Sequence, residues 1–143
     1  MTWYSAHIVM LVEFKEGPQQ RYPVWENIVL VAANTEAEAF AKAEAHGRAD
    51  EGDDDGSFRW GKIPARWVFA GVRKLTECVF ASDCPNDGTE VSYSELELDS
   101  REAVEKMVAG KRVQVWYDDR YRPAQSRQTK AIAAVKRPKR RRA

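Results

Sequence analysis

The chain has 143 residues, 43% of them hydrophobic and 31% charged, with a formal net charge of +1. That total hides two opposed parts: residues 1–119 hold 13 Lys and Arg against 22 Asp and Glu, a net −9, whereas residues 120–143 hold ten Lys and Arg and no acid. An acidic body repels phosphate, two cysteines are too few for a disulfide scaffold, and no apolar run approaches the ~20 residues of a membrane helix.

The first element reads as a long strand. Tyr4, Ala6, Ile8, Met10, Val12 and Phe14 alternate with Trp3, Ser5, His7, Val9, Leu11 and Glu13. Period two over this length makes one wholly apolar face for a core and one mixed face. Residues 15–20, with Gly17 and Pro18, form a turn. A second strand over about 22–33 then pairs with the first as a hairpin, and a bulge is expected near Trp25-Glu26-Asn27, where the apolar phase falters.

The period then changes. Thr35 with Glu38 matches the capping box of a helix start. The helix over 35–48 presents Phe40, Ala43 and Gly47 to the sheet, and Gly47 and the Asp/Gly run at 50–56 end it. Phe58 to Val79 reads as a short strand, a tight link at Gly61–Pro64 and a long strand at 65–79. Trp67, Phe69, Gly71 and Leu75 fall on one face of that strand, and Val68, Ala70, Val72 and Cys78 on the other, so it is predicted to be central and covered on both sides.

Residues 81–88 form a loop, and Thr89 to Leu98 a further strand with a bulge near Ser94. Asp99 with Glu102 opens a second helix, whose buried stripe is Ala103, Val104, Met107 and Val108 and whose left-handed cap is Gly110. Val113, Val115 and Tyr117 mark a last strand. The order β-β-α-β-β-β-α-β predicts an α+β fold: a mainly antiparallel sheet with two helices packed on one face. The expected organisation is a single domain over 1–119 and a basic, disordered tail over 120–143.

Five runs carry a family resemblance: Trp3-Tyr4-Ser5-Ala6-His7, Tyr22 through Leu30, Glu38 through Ala43, Trp67 through Leu75, and Gly88 through Val91. In these runs, over roughly residues 2–117, the chain resembles the bacterial domain of unknown function 4288. The resemblance implies a small single-domain protein of the bacterial cytoplasm. It implies no activity, and no catalytic residue carries over from it.

Candidate sites come from the residues themselves. His7, Glu26 and Arg73 converge on the sheet face away from the helices if their three strands are neighbours. A His beside a carboxylate serves acid–base chemistry and an Arg holds an anion, but ordinary cross-strand pairing is the simpler account. Glu51, Asp53 and Asp55, ahead of Gly56, follow part of a calcium-loop spacing, yet Lys62 stands where the template needs a bidentate carboxylate. The acidic loop is also a landing site for cations of the basic tail. Trp3 and Trp116 are the tryptophans expected on the open face, where exposed aromatics mark an interface. Lys136, Arg137, Lys139, Arg140, Arg141 and Arg142 form a polycation able to hold nucleic acid or another polyanion.

Hydrolase, zinc-protease and phosphate-loop motifs are missing, and Cys78 and Cys84 are spaced too widely for a local zinc pair. No catalytic residue and no cofactor is assigned. The leading expectation is a non-enzymatic binding or accessory domain that meets a protein partner or a second copy, with its tail on a polyanion. The rivals are a small enzyme or ligand-binding protein built on His7, Glu26 and Arg73, and a nucleic-acid-associated protein acting through the tail.

Overall fold

The computed structural model describes residues 1–80 and 86–119. Cys84 and the whole basic segment, including the six cations between 136 and 142, lie outside the described residues. The elements follow the expected order: β1 (Thr2–Phe14), β2 (Val24–Ala33), α1 (Glu36–Ala49), β3 (Arg59–Trp60), β4 (Ile63–Cys78), β5 (Leu96–Glu97), α2 (Arg101–Val108) and β6 (Trp116–Tyr117). The fold is α+β. One antiparallel sheet has the strand order β2-β1-β4-β3, and β5 and β6 form a separate two-stranded ladder.

β1 and β2 pair without interruption from Leu11↔Val24 to Thr2↔Ala33, so no bulge falls at Trp25–Asn27. The irregularities lie between β1 and β4. His7 pairs with Lys74 but Ile8 with Val72, and Val9 pairs with Gly71 but Met10 with Phe69. Arg73 and Ala70 are therefore extra residues on β4. Each extra residue moves the side-chain phase by one, which is why Val72 joins Trp67, Phe69 and Leu75 beside the core instead of facing away from them.

That core is the alternation expected of β1. Tyr4, Ala6, Ile8 and Met10 are buried with Val31 and Ala33 of β2 and Ala39 and Ala43 of α1. α1 packs against β1, β2 and β4. Its start is the capping box: Thr35 Oγ1 accepts from the Glu38 N–H at 3.1 Å, and Glu38 Oε2 accepts from the Asn34 N–H at 3.0 Å. Gly47 lies inside α1, not at its end; the C-cap is Asp50. A Cβ on Gly47 would collide with the Phe69 ring, so the glycine is there to let helix and sheet touch.

The second half of the chain departs further from expectation. α2 is capped by Ser100, one residue after Asp99, through a 3.1 Å bond from the Ala103 N–H. Gly110 follows it with φ at 71°. The stripe at Val104, Met107 and Val108 is exposed, and α2 buries none of its residues, so α1 is the helix that lies on the sheet. Of the strand expected over 89–98, Leu96–Glu97 joins a ladder, with Trp116–Tyr117. Residues 91–95 instead cross the sheet face opposite α1. No helix of the described residues is long and apolar enough to cross a membrane.

Candidate functional site

At its centre, on β1 and β4, the face of the sheet opposite α1 is polar and yet buried. Antiparallel partners share a face, so the register puts Ser5, His7 and Val9 of β1 beside Leu30, Ile28 and Glu26 of β2 and beside Thr76, Lys74 and Gly71 of β4. Among these, Ser5 and His7 are 0% exposed and Lys74 is 4% exposed. The bulge at Arg73 has a direct consequence. Instead of alternating, Arg73 and Lys74 reach the same carboxylate, that of Asp119.

His7 Nδ1 lies 2.7 Å from Glu26 Oε1, and His7 Nε2 contacts Ser92 Oγ. With Nδ1–H donating to the carboxylate, Nε2 is left to accept from the Ser92 hydroxyl. The same Glu26 oxygen accepts from Arg73 Nε at 2.6 Å. Arg73 also donates to Asp119 Oδ1 and, at 3.3 Å, to Ser94 Oγ, while its guanidinium lies 4.5 Å from the Tyr117 ring centre. Lys74 Nζ donates to Asp119 Oδ2 at 3.1 Å and to the Tyr93 carbonyl, and sits 3.5 Å from the centre of the Tyr93 ring. Ser5 Oγ donates to the Val91 carbonyl and lies 3.0 Å from Cys78 Sγ.

Residues 91–95 thus form a cover bonded at almost every step: the Val91 carbonyl, the Ser92 hydroxyl, the Tyr93 carbonyl, the Ser94 hydroxyl and the Glu95 N–H all meet the cluster or Asp119. Asp119 closes it from the far end of the described chain. Its carboxylate, 4% exposed, accepts from Arg73, from Lys74 and, at 2.6 Å, from the Glu95 N–H. Burial raises the pKa of such a group, but the Glu95 N–H, Lys74 and Arg73 outweigh it and lower the Asp119 pKa to about 2. Among the described residues no buried side-chain nitrogen or oxygen lacks a partner. The site is an ion-paired lattice with its hydrogen bonds satisfied internally.

His7, Glu26 and Arg73 do come together, as their strand positions implied. What was not foreseen is that their face is covered rather than open. Lys74, Ser92 and Asp119 belong to the same cluster; Lys74 carried a signal, as a charge beside Arg73 on a strand with apolar residues on both faces, while Ser92 and Asp119 carried none. Trp3 and Trp116 are both exposed. The acidic loop assembles no cation site: Asp53 pairs with Lys15 and accepts from the Gly56 N–H at 3.0 Å, interactions that lower its pKa. Among the described residues no group of three or more His, Cys, Asp or Glu is placed to hold a metal ion.

The α1 face holds a further feature, a cluster of aromatic rings. Trp67 is packed round by Trp25, Phe58 and Trp60, with ring centres 4.9, 5.6 and 6.5 Å away. Trp25 and Trp60 remain exposed. A cavity opens there, lined by Met10, Trp25, Asn27, Asp50 and Trp67. A second cavity lies at the end of β1 and β4, between Met1–Trp3 and Glu77–Phe80. Neither is lined by His7, Glu26, Arg73 or Ser92.

The chain is thus an α+β protein whose sheet carries one helix on its apolar face and an extended cover on its polar face. The model of a domain of unknown function (DUF4288) matches residues 3–93, and the chain belongs to that family. The match takes in β1 to β4 and the cover as far as Tyr93; Asp119 lies beyond it. No curated protein and no solved structure matches the chain.

Proposed function

We propose that this protein is a non-enzymatic binding module whose docking surface is the outer edge of β2, unpaired among the described residues, and whose first partner is a second copy of the same chain. One observation carries the reading: the polar groups are bonded to one another beneath residues 91–95, while β2 runs along the edge of the sheet with Val24, Ile28 and Leu30 exposed. A long edge strand with unpaired backbone groups is a pairing template unless Lys, Pro or a bulge blunts it. Residues 24–33 contain none of these. Their single charge, Glu26, is turned inward to His7 and Arg73, so the edge carries little repulsion against its own copy although the body is acidic. Light scattering across a concentration series tests this: the wild-type chain reaches the mass of two chains, and Ile28→Lys with Leu30→Lys holds it at one. A wild-type chain that stays at one mass throughout refutes the reading.

The basic segment adds a separate attachment to polyanions, supported by its ten cations without an acid. Replacing the six cations between 136 and 142 by Gln should remove salt-sensitive binding to single-stranded DNA in anisotropy titrations. Binding left intact by that change removes the segment from the account.

A second reading rests on the run Ser92–His7–Glu26, which has the connectivity of a hydroxyl, its base and the group that orients the base. It requires the cover to lift. Labelling of Ser92 by a fluorophosphonate would support it, and an inert Ser92 would discard it.

A further inference from the structure

The groove on the α1 face has a chemistry independent of the polar cluster and of the β2 edge. Met10, Trp25, Asn27, Asp50 and Trp67 line a cavity of about 250 Å³. The register sets Trp25 opposite Met10 and Asn27 opposite Ile8, so both point to the helix side of the sheet. α1 stops at Asp50, before it can cover them. The indoles of Trp25 and Trp67 are inclined at 57° with their centres 4.9 Å apart, which gives the cavity two aromatic walls.

Three of the walls, Trp25, Trp67 and Asp50, favour a cation. Indole faces are the negative side of the ring quadrupole. The C-terminal end of α1 contributes the negative pole of the helix dipole. Asp50 adds a full negative charge at that pole, where an acid destabilises a helix and a cation would stabilise it. Its carboxylate has no ion pair or hydrogen bond with any described residue. The Asn27 amide supplies a further acceptor. An acid held against the dipole, beside two tryptophans and without a counter-ion among the described residues, makes sense if its counter-ion is the ligand.

We propose that this cavity binds an organic cation with an apolar jacket, an alkylated ammonium or a guanidinium group. Bare metal ions gain too little from indole faces to leave their water, and neutral ligands gain at most a hydrogen bond from Asp50 and no ion pair. The volume falls just below the roughly 300–1,000 Å³ of drug-sized pockets, which suits one cationic head group. That group comes either from a small molecule or from a Lys or Arg side chain of residues 120–143, which hold ten such cations.

Choline is the probe, titrated into the full-length chain while NMR follows the five Trp indole N–H signals. The Trp25 and Trp67 signals should shift saturably and those of Trp3 and Trp116 should stay, which also reports that the fold is intact. The neutral isostere 3,3-dimethyl-1-butanol should bind about tenfold more weakly for want of the cation–π term. Asp50→Asn, an exposed change, should weaken choline by up to about fivefold, the upper end of what a solvent-exposed ion pair contributes. Equal binding of choline and its isostere, choline affinity unchanged by Asp50→Asn, or no saturable shift would each overturn the proposal. The source is separated in the same assay: converting all ten cations of residues 120–143 to Gln tightens choline binding if the chain's own segment fills the cavity, and leaves it unchanged if the cation is a small molecule.

Discussion

The two faces of the β2-β1-β4 sheet are both buried around β1, but by different means. Beneath α1, Ala6, Ile8 and Met10 meet Ala39 and Ala43, and close packing of apolar surface stabilises the contact at about 25 cal/mol per Å² removed from water. On the other face, Ser5, His7 and Lys74 are buried just as deeply under a single extended segment, and their desolvation is offset by bonds to Glu26, Asp119, Ser92 and the Val91 and Tyr93 carbonyls. The apolar face tolerates conservative change. The polar face depends on every member, because removing one partner strands a buried charge.

The largest expected effect follows from that contrast. Asp119→Ala leaves Arg73 and Lys74 without their shared carboxylate and should cost about 3–5 kcal/mol in urea unfolding. The acid limb checks the same group. Its folded pKa of about 2 lies below the ordinary 3.8, so its contribution is complete above about pH 4 and is lost as pH falls towards 2. A shift of that size corresponds to about 2 kcal/mol, and the Ala variant should lose this component of the pH dependence. An unfolding midpoint unmoved by Asp119→Ala would mean the polar face is not held by its ion pairs.

On the apolar face the telling change is Gly47→Ala. Helix propensity alone favours Ala by about 1 kcal/mol. The methyl would meet the Phe69 ring, however, and overpacking should turn the net effect into a loss of about 1–3 kcal/mol. The two helices sharpen the point at the small end of the scale. Val104→Ser on α2 should shift stability by no more than about 0.5 kcal/mol, since that side chain is already exposed. A larger loss would show that α2 is covered in solution.

These differences explain what was legible in the chain. The α1 face could be read because it is periodic: alternate residues in β1 and small residues along α1 announce their own burial. Convergence of His7, Glu26 and Arg73 could be read from strand neighbourhood. Their cover could not, since residues 91–95 lie far along the chain and act mainly through two carbonyls, an N–H and short hydroxyls that have no distinctive pattern. Nor could the bulge, which depends on how β4 must shift to keep both Val72 in the core and Lys74 on the polar side. α2 misled for the opposite reason. Its amphipathic spacing is real, but none of its residues is buried. The aromatic cavity went unread because Trp25 and Trp67 are 42 residues apart and meet only through the strand between them.

The claim on which the rest stands is that the polar face is closed. The chain has two histidines, His7 at 0% exposure beneath the cover and His46 on the open surface of α1, so diethylpyrocarbonate reports on it directly. Mass spectrometry of the native protein should find His46 carbethoxylated and His7 unmodified, with His7 reacting only once urea has unfolded the chain. Modification of both at similar rates in the native state would contradict a sealed cluster, and would reopen that face as a working site.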